Sequence, residues 1–255
     1  MRLSLLLPVL AATSLVSSLT AAPETKSLAG EWRFALDRTA EQREPSTKPV
    51  LPLPAGDGIT QEWFKRDLPE RARIKLPGIL QAQGYGNPIS TSTPWVVALG
   101  DAWWNLQPAA LRDKFSQPGK VEVPFLAQPP MHYLGAAFYQ REIDVPASWK
   151  GKRLALFLER PRWETTVWLD DQKIGTNNSL VAPHEYELGL AVPGKHRLTV
   201  RIDNRQVVRD PRNDGHGVDS HAISDALGST WNGIVGRLEL TATSPVWIDA
   251  AQVFP

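Results

Sequence analysis

Residues 153–171, RLALFLERPRWETTVWLDD, decide the fold class. Leu154, Leu156 and Leu158 alternate with Arg153, Ala155 and Phe157. Past Pro161 the alternation resumes, with Trp163, Thr165, Val167 and Leu169 set against Glu164, Thr166 and Trp168. A period of two puts successive side chains on opposite faces of an extended chain, so each half reads as a half-buried β-strand. The cluster Asp170-Asp171-Gln172-Lys173 that follows carries turn chemistry and reads as a hairpin turn running to Gly175. Trp163 and Trp168 fall on opposite faces, which predicts one tryptophan in the core and the other exposed.

The same pattern extends outward in both directions. Residues 194–204, GKHRLTVRIDN, set Leu198, Val200 and Ile202 against Arg197, Thr199, Arg201 and Asp203. Turn clusters separate the strands at Pro146–Gly151 and at Pro193-Gly194-Lys195. Nearer the N-terminus, residues 27–36 (SLAGEWRFAL) predict a first strand with Trp32 and Phe34 on one face. Residues 71–100 hold one short apolar strand and then a Gly/Pro/Ser/Thr-rich loop. Two irregular insertions are expected, at about residues 39–58 and 101–130. The first carries Pro45, Pro49, Pro52 and Pro54; the second holds Trp103-Trp104 and one helical turn around Ala109 to Phe115. Short strands with turn chemistry between them make this an all-β chain, an antiparallel β-sandwich. Neither an internal repeat nor a long amphipathic helix is visible.

Composition narrows the function classes. The 255 residues hold 28 Lys plus Arg, 27 Asp plus Glu and no cysteine, for a net charge of +1. With a pI of about 8.0 and interspersed signs, the chain lacks the clustered basic footprint of a nucleic-acid binder. Without cysteine there are no disulfides, thiolate metal sites or cysteine nucleophiles. The 22 prolines fit many breaks and few long helices, and the 10 tryptophans outnumber the 7 phenylalanines. Residues 1–22 read as a secretory signal peptide: Arg2, a mostly apolar stretch from Leu3 to Leu19, then Thr20-Ala21-Ala22. Pro8 and Ser17-Ser18 shorten the apolar run below the ~20 residues a membrane span needs. A secreted or periplasmic home with no membrane span after signal removal is therefore expected, leaving residues 23–255 as one domain.

Five segments occur in order: FYQREIDV (138–145), WKGKRLALFLERPRWETTVWLDD (149–171), SLVAPHEYEL (179–188), GKHRLTVRIDN (194–204) and WNGIVGRLEL (231–240). Together they resemble the N-terminal sugar-binding domain of glycoside hydrolase family 2, most strongly after Tyr133. The resemblance implies a jelly-roll sandwich of the galactose-binding-domain-like kind. It also implies that the catalytic carboxylates lie on a separate TIM barrel, beyond immunoglobulin-like domains. Taken as residues, Arg141 reads as a satisfied surface or edge pair, and Gly233 and Gly236 as a bulge or a close backbone approach in the last main strand.

The connection Asp210–Asn232 (DPRNDGHGVDSHAISDALGSTWN) is long, polar and rich in groups that can meet hydroxyls. Loops of that length are usually functional or disordered. In the family this connection reaches toward the barrel mouth, and by that resemblance Asp219, His221, Asp225, Trp231 and Asn232 are the substrate-binding candidates. The residues alone equally allow Asp225 to cap a turn and Trp231 to sit in the core. Where related members carry glutamine three residues after the aspartate matched by Asp225, this chain has Gly228. Other chemistries find little support. His184-Glu185 starts like H-E-x-x-H, but Leu188 stands where the second histidine is needed. There is no G-x-S-x-G, and Asp210–Gly215 does not follow the order of a calcium loop. No catalytic residue, metal or cofactor is assigned.

The resemblance implies the sugar-binding part of a β-galactosidase- or β-glucuronidase-like enzyme, without turnover in this chain alone. Its expected partners are carbohydrate and the immunoglobulin-like and barrel domains of the same or another chain. A free-standing carbohydrate-binding module, or a non-catalytic domain packing on a separately encoded barrel, remain alternatives.

Overall fold

The computed structural model describes residues 22–41, 55–69, 71–93, 106–117, 119–122, 128–205, 230–246 and 252. Residues 1–21, which the sequence reading assigns to a signal segment, residues 42–54 of the first insertion and parts of the second lie outside the described residues. In chain order the strands are β1 Glu24–Ser27, β2 Gly30–Glu41, β3 Ala72–Leu76, β4 Gly78–Ile79 and β5 Asn87–Pro88. The two-residue strands β6 Ser116–Gln117, β7 Lys120–Val121 and β8 Met131–His132 follow. Then come the long strands, β9 Gly135–Val145, β10 Arg153–Arg162 and β11 Glu164–Leu169. The last are β12 Gln172–Asn177, β13 His184–Leu190, β14 Gly194–Asp203 and β15 Gly233–Thr243. The longest helix among the described residues, Ala109–Phe115, spans seven residues, where one helical turn was expected.

Among the described residues two large antiparallel sheets form, beside the two-stranded pairs β5-β8 and β6-β7. One runs β1-β15-β10-β13, with β4 added beside β15; the other runs β12-β11-β14-β9-β2-β3. β10 and β11, adjacent in sequence, thus belong to opposite sheets. The two-residue turn at Asp170-Asp171 closes the β11–β12 hairpin, with Asp170 at φ 53°. One apolar layer fills the space between the sheets: Trp32, Phe34 and Tyr139 from one side, Leu156, Leu158, Ile234 and Leu240 from the other. Leu198, Val200 and Ile202 join it, as their alternation requires.

Two glycines in β15 answer to specific contacts. At Gly233 (φ 147°) an added Cβ would lie 2.2 Å from the Gly78 carbonyl oxygen, because β4 pairs there at backbone distance. At Gly236 (φ 90°) the Glu159 carboxylate occupies the space, beside the register shift between Leu158 and Arg160. That carboxylate accepts the Arg237 amide at 2.8 Å. Arg141 donates from Nη1 to the Leu28 and Ala29 carbonyls at 2.7 and 3.0 Å, a satisfied tie as its sequence position suggested.

The tryptophan expectation needs correcting. Trp163 and Trp168 are both buried, at 1% and 3% exposure. The reason is a second apolar layer on the outer face of the six-stranded sheet, where Trp63 and Leu68 cover Ala35, Phe138 and Trp168. Phe64 stacks on Trp168 with centroids 4.8 Å apart, and Trp63 meets Phe138 edge-on at 5.3 Å. A strand covered on both sides no longer needs one polar face.

Candidate functional site: the stem of a polar connection

The described residues flanking the polar connection are Arg205, just past β14, and Thr230, just before β15, and these two ends are its stem. Asp219, His221 and Asp225 lie outside the described residues; Trp231 and Asn232 form the returning end. The stem is bound by side-chain amides. Asn204 donates from Nδ2 to the Tyr133 and Trp231 carbonyls at 2.8 and 3.1 Å, and its Oδ1 accepts the Gly135 amide at 2.7 Å. One residue from each limb is thereby joined to the start of β9.

Asn232 is fully buried. Its Nδ2 donates to the carbonyls of Gly135 and Ile202 at 3.0 and 3.1 Å, and its Oδ1 accepts the Tyr139 hydroxyl at 2.7 Å. Its backbone is equally committed: the amide donates to Gln81 Oε1 at 3.1 Å and the carbonyl accepts Leu80 N–H at 2.9 Å. With both amide protons and the oxygen engaged in the core and none of the side chain exposed, Asn232 sits out of a ligand's reach and acts as a tie between the sheets. Burial drives the Tyr139 hydroxyl well above its ordinary pKa and keeps it a neutral donor to Asn232.

Charge reinforces the departing limb. Asp203 Oδ1 accepts from the backbone N–H and Nε of Arg205 at 3.1 and 2.8 Å. Its Oδ2 takes Arg205 Nη2 at 2.5 Å and Arg201 Nη2 at 2.9 Å. All three side chains are buried. Burial alone would push the Asp203 carboxyl up, but Arg205 and Arg201 overcome it and hold its pKa below the usual carboxylate range. Arg201 also donates to the Ala55 carbonyl at 3.2 Å, so the end of the first insertion is part of the same assembly. Beside it, Asp37 accepts the Gly58 amide at 3.0 Å and the Thr39 hydroxyl at 2.7 Å.

Trp231 is half-buried, with the Arg162 guanidinium 5.8 Å from its ring centre. A cation over one indole face is an attractive contact and fixes the ring. Of the sequence candidates that are described, only Trp231 retains surface that could meet a ligand. Sequence reasoning missed Asn204, Asp203, Arg205 and Gln81 as the groups that set this end of the molecule. Their position at the ends of strands beside a long connection was the available signal.

The opposite end of β14 is built from half-buried and exposed groups. His196 Nδ1 lies 2.8 Å from Asp170 Oδ2, and Nε2 lies 2.8 Å from the Val192 carbonyl. Both ring nitrogens therefore face acceptors, which favours the doubly protonated ring. Burial opposes that charge, but Asp170 and the Val192 carbonyl outweigh it and raise the pKa above the ordinary histidine value. His184, the start of the broken H-E-x-x-H pattern, is buried instead, with Nδ1 2.5 Å from Thr165 Oγ1 and Nε2 2.8 Å from the Ser179 carbonyl. Burial lowers its pKa, the state of a neutral core histidine. Among the described residues no group of three or more His, Asp or Glu could hold a metal ion.

These features define a class: a two-sheet antiparallel sandwich whose strand ends beside a long polar sequence are tied together by buried side-chain amides. Comparison with known proteins narrows it. Residues 25–110 match the family described as glycosyl hydrolases family 2, sugar binding domain. Over that span the chain is similar to the sugar-binding domain of glycosyl hydrolases family 2. The matched span lies ahead of the five segments on which the sequence resemblance rested. A β-glucuronidase of Paenibacillus borealis is 22% identical over 183 residues, which cover 71% of this chain and 21% of that protein. A solved β-glucuronidase from an uncultured Clostridium species shares the fold with a TM-score of 0.50 and 18% identity, covering 88% of this chain and 30% of that one. The chain thus spans well under half the length of the relatives it matches.

Proposed function

We propose that this domain serves a β-glucuronidase-like glycoside hydrolase by presenting the connection between Arg205 and Thr230 to the sugar at the mouth of a catalytic barrel. The barrel would supply the two carboxylates that glycoside hydrolysis requires, about 5–5.5 Å apart in retaining enzymes. The observation that carries this reading is the doubly tied stem at Asn204 and Asn232. A contact loop is useful only when its two limbs are fixed to a scaffold. In this reading Asp219, His221 and Asp225 offer hydrogen bonds to hydroxyls, and the indole face of Trp231 turned away from Arg162 covers the apolar side of a pyranose. Export through residues 1–22 belongs to the same proposal, and mass spectrometry should find a mature N-terminus near Pro23.

The test has two parts. The 255-residue chain alone should not turn over aryl β-glycosides; turnover lost on mutating one of its own acids would contradict the proposal. In an assembly that includes the barrel, Asp225→Ala should lower kcat/KM by roughly tenfold or more, as expected for a lost hydrogen bond to a charged group worth about 1.5–3 kcal/mol. Asp171→Ala, in the exposed β11–β12 turn, is the control. A kcat/KM within twofold of the parent for Asp225→Ala, with the fold intact, would make the connection scaffold only.

A further inference from the structure

The outer face of the six-stranded sheet carries a cleft that the stem does not use. Beside the Trp63–Leu68 cover, β2, β9 and β14 border a space of about 270 Å³. Arg33, Lys195 and Arg197 bring donors to its wall, Asp67 and Glu142 bring acceptors, and Gln140 lies beneath them. Gln140 is 1% exposed. Its Nε2 donates to the Arg66 carbonyl at 2.8 Å and to Thr199 Oγ1 at 3.2 Å. The carbonyl can only accept, so the amide cannot be turned over. Gln140 Oε1 is thereby left buried and, among the described residues, without a hydrogen-bond partner. A buried acceptor of this kind is rare and costly unless a donor reaches it from outside the protein.

The wall indicates which donor fits. Arg33 pairs with Asp67, and Lys195 with Glu142 at 2.8 Å; the side chains of both pairs are 40–73% exposed. Ion pairs this exposed are weakly held and can open for a ligand. Three carboxylates, counting Asp170, oppose a simple anion, and the cations oppose a simple cation. The mostly polar wall offers an apolar molecule little. A hydroxyl group both donates and accepts, so a ring bearing adjacent hydroxyls matches a wall that mixes donors and acceptors.

We propose that this cleft is a second saccharide-binding site, in which a sugar hydroxyl donates to Gln140 Oε1 while Arg33 and Arg197 donate to its neighbours. Asp67 and Glu142 accept the remaining hydroxyl protons. The site is separate from the stem: Arg197 and Asp203 are six residues apart on β14, about 20 Å along an extended strand. It therefore stands or falls independently of the role given to the 206–229 connection.

The experiment is a titration of the full chain, isotope-labelled for NMR, with D-glucose and separately with sodium D-glucuronate. Saturable shifts are expected at the Gln140 side-chain amide and the Arg197 backbone amide, with a millimolar Kd for at least one sugar. Arg33→Ala, an exposed position that should not disturb folding, is expected to weaken that binding about tenfold, as loss of a charged hydrogen bond would. Gln140→Met should abolish it. Three results would overturn the proposal: shifts that stay linear with sugar concentration, shifts confined to Thr230 and Trp231, or an equal response to sodium acetate, which would make the cleft an anion site. Unchanged affinity in Arg33→Ala would overturn it as well, even if Gln140→Met failed to fold.

Discussion

The two ends of β14 are held by different physics. At Asp203 the strand ends in a buried charge cluster and two asparagine ties; at Gly194 it begins in a turn held by a half-buried histidine paired with an exposed aspartate, and by Lys195 and Glu142. Buried polar groups are expensive when unmet and so fix a unique geometry when met, whereas exposed pairs can exchange with water at little cost. The long polar connection leaves from the first kind of end. That placement, more than any single residue in the connection, makes it a candidate for recognition.

The comparison can be broken most forcefully at Asp203. Asp203→Ala leaves Arg201 and Arg205 buried without their shared carboxylate, and breaking a buried pair in this way costs about 3–5 kcal/mol. Chemical denaturation should show the loss directly. Asn232→Leu comes next. It removes partners from the Tyr139 hydroxyl and two carbonyls in the core, and a buried polar group left unmet costs about 1–3 kcal/mol. Were Asn232 a sugar contact instead, the substitution would spare stability and reduce only binding.

The sequence was informative where one face of a strand meets the core. Leu154, Leu156 and Leu158, or Leu198, Val200 and Ile202, repeat every second residue because their neighbours point away from the intersheet layer. Trp168 misled because its burial depends on Trp63 and Phe64, about a hundred positions earlier, returning across the outer face. Arg201 and Asp203 read as solvent-facing for the same reason; their enclosure requires Ala55 and Arg205 to close over them. Asn232 shows the limit from the other side. An asparagine that ties two sheets and one that binds a hydroxyl look alike in one dimension, and only the positions of Gly135, Ile202 and Tyr139 tell them apart.

At the Gly194 end the expected effects are smaller. His196 has a raised pKa in the folded chain, so its contribution is fully present below about pH 6.5, the unfolded value, and is lost as pH rises through the folded value. Thermal melts across that window should therefore show the parent losing a small increment, about 0.2–1 kcal/mol for a pair whose aspartate is open to water, that His196→Ala lacks at every pH. Lys195→Ala, whose partner Glu142 is open to water, should leave the unfolding midpoint within experimental error.

Amide hydrogen exchange on the full chain compares the two ends in one measurement. The amides of Gly135, Leu80 and Asn232 are held by Asn204, Asn232 and Gln81 at the stem; those of Arg197 and Gly151 are held by Asp170 and Ala191 at the far end. The stem amides should exchange only with global unfolding, tracking the free energy from denaturation, while the far-end amides should exchange faster through local opening. Equal protection at both ends, or faster exchange at Gly135 and Asn232 than at Arg197, would contradict a rigid stem beneath the polar connection.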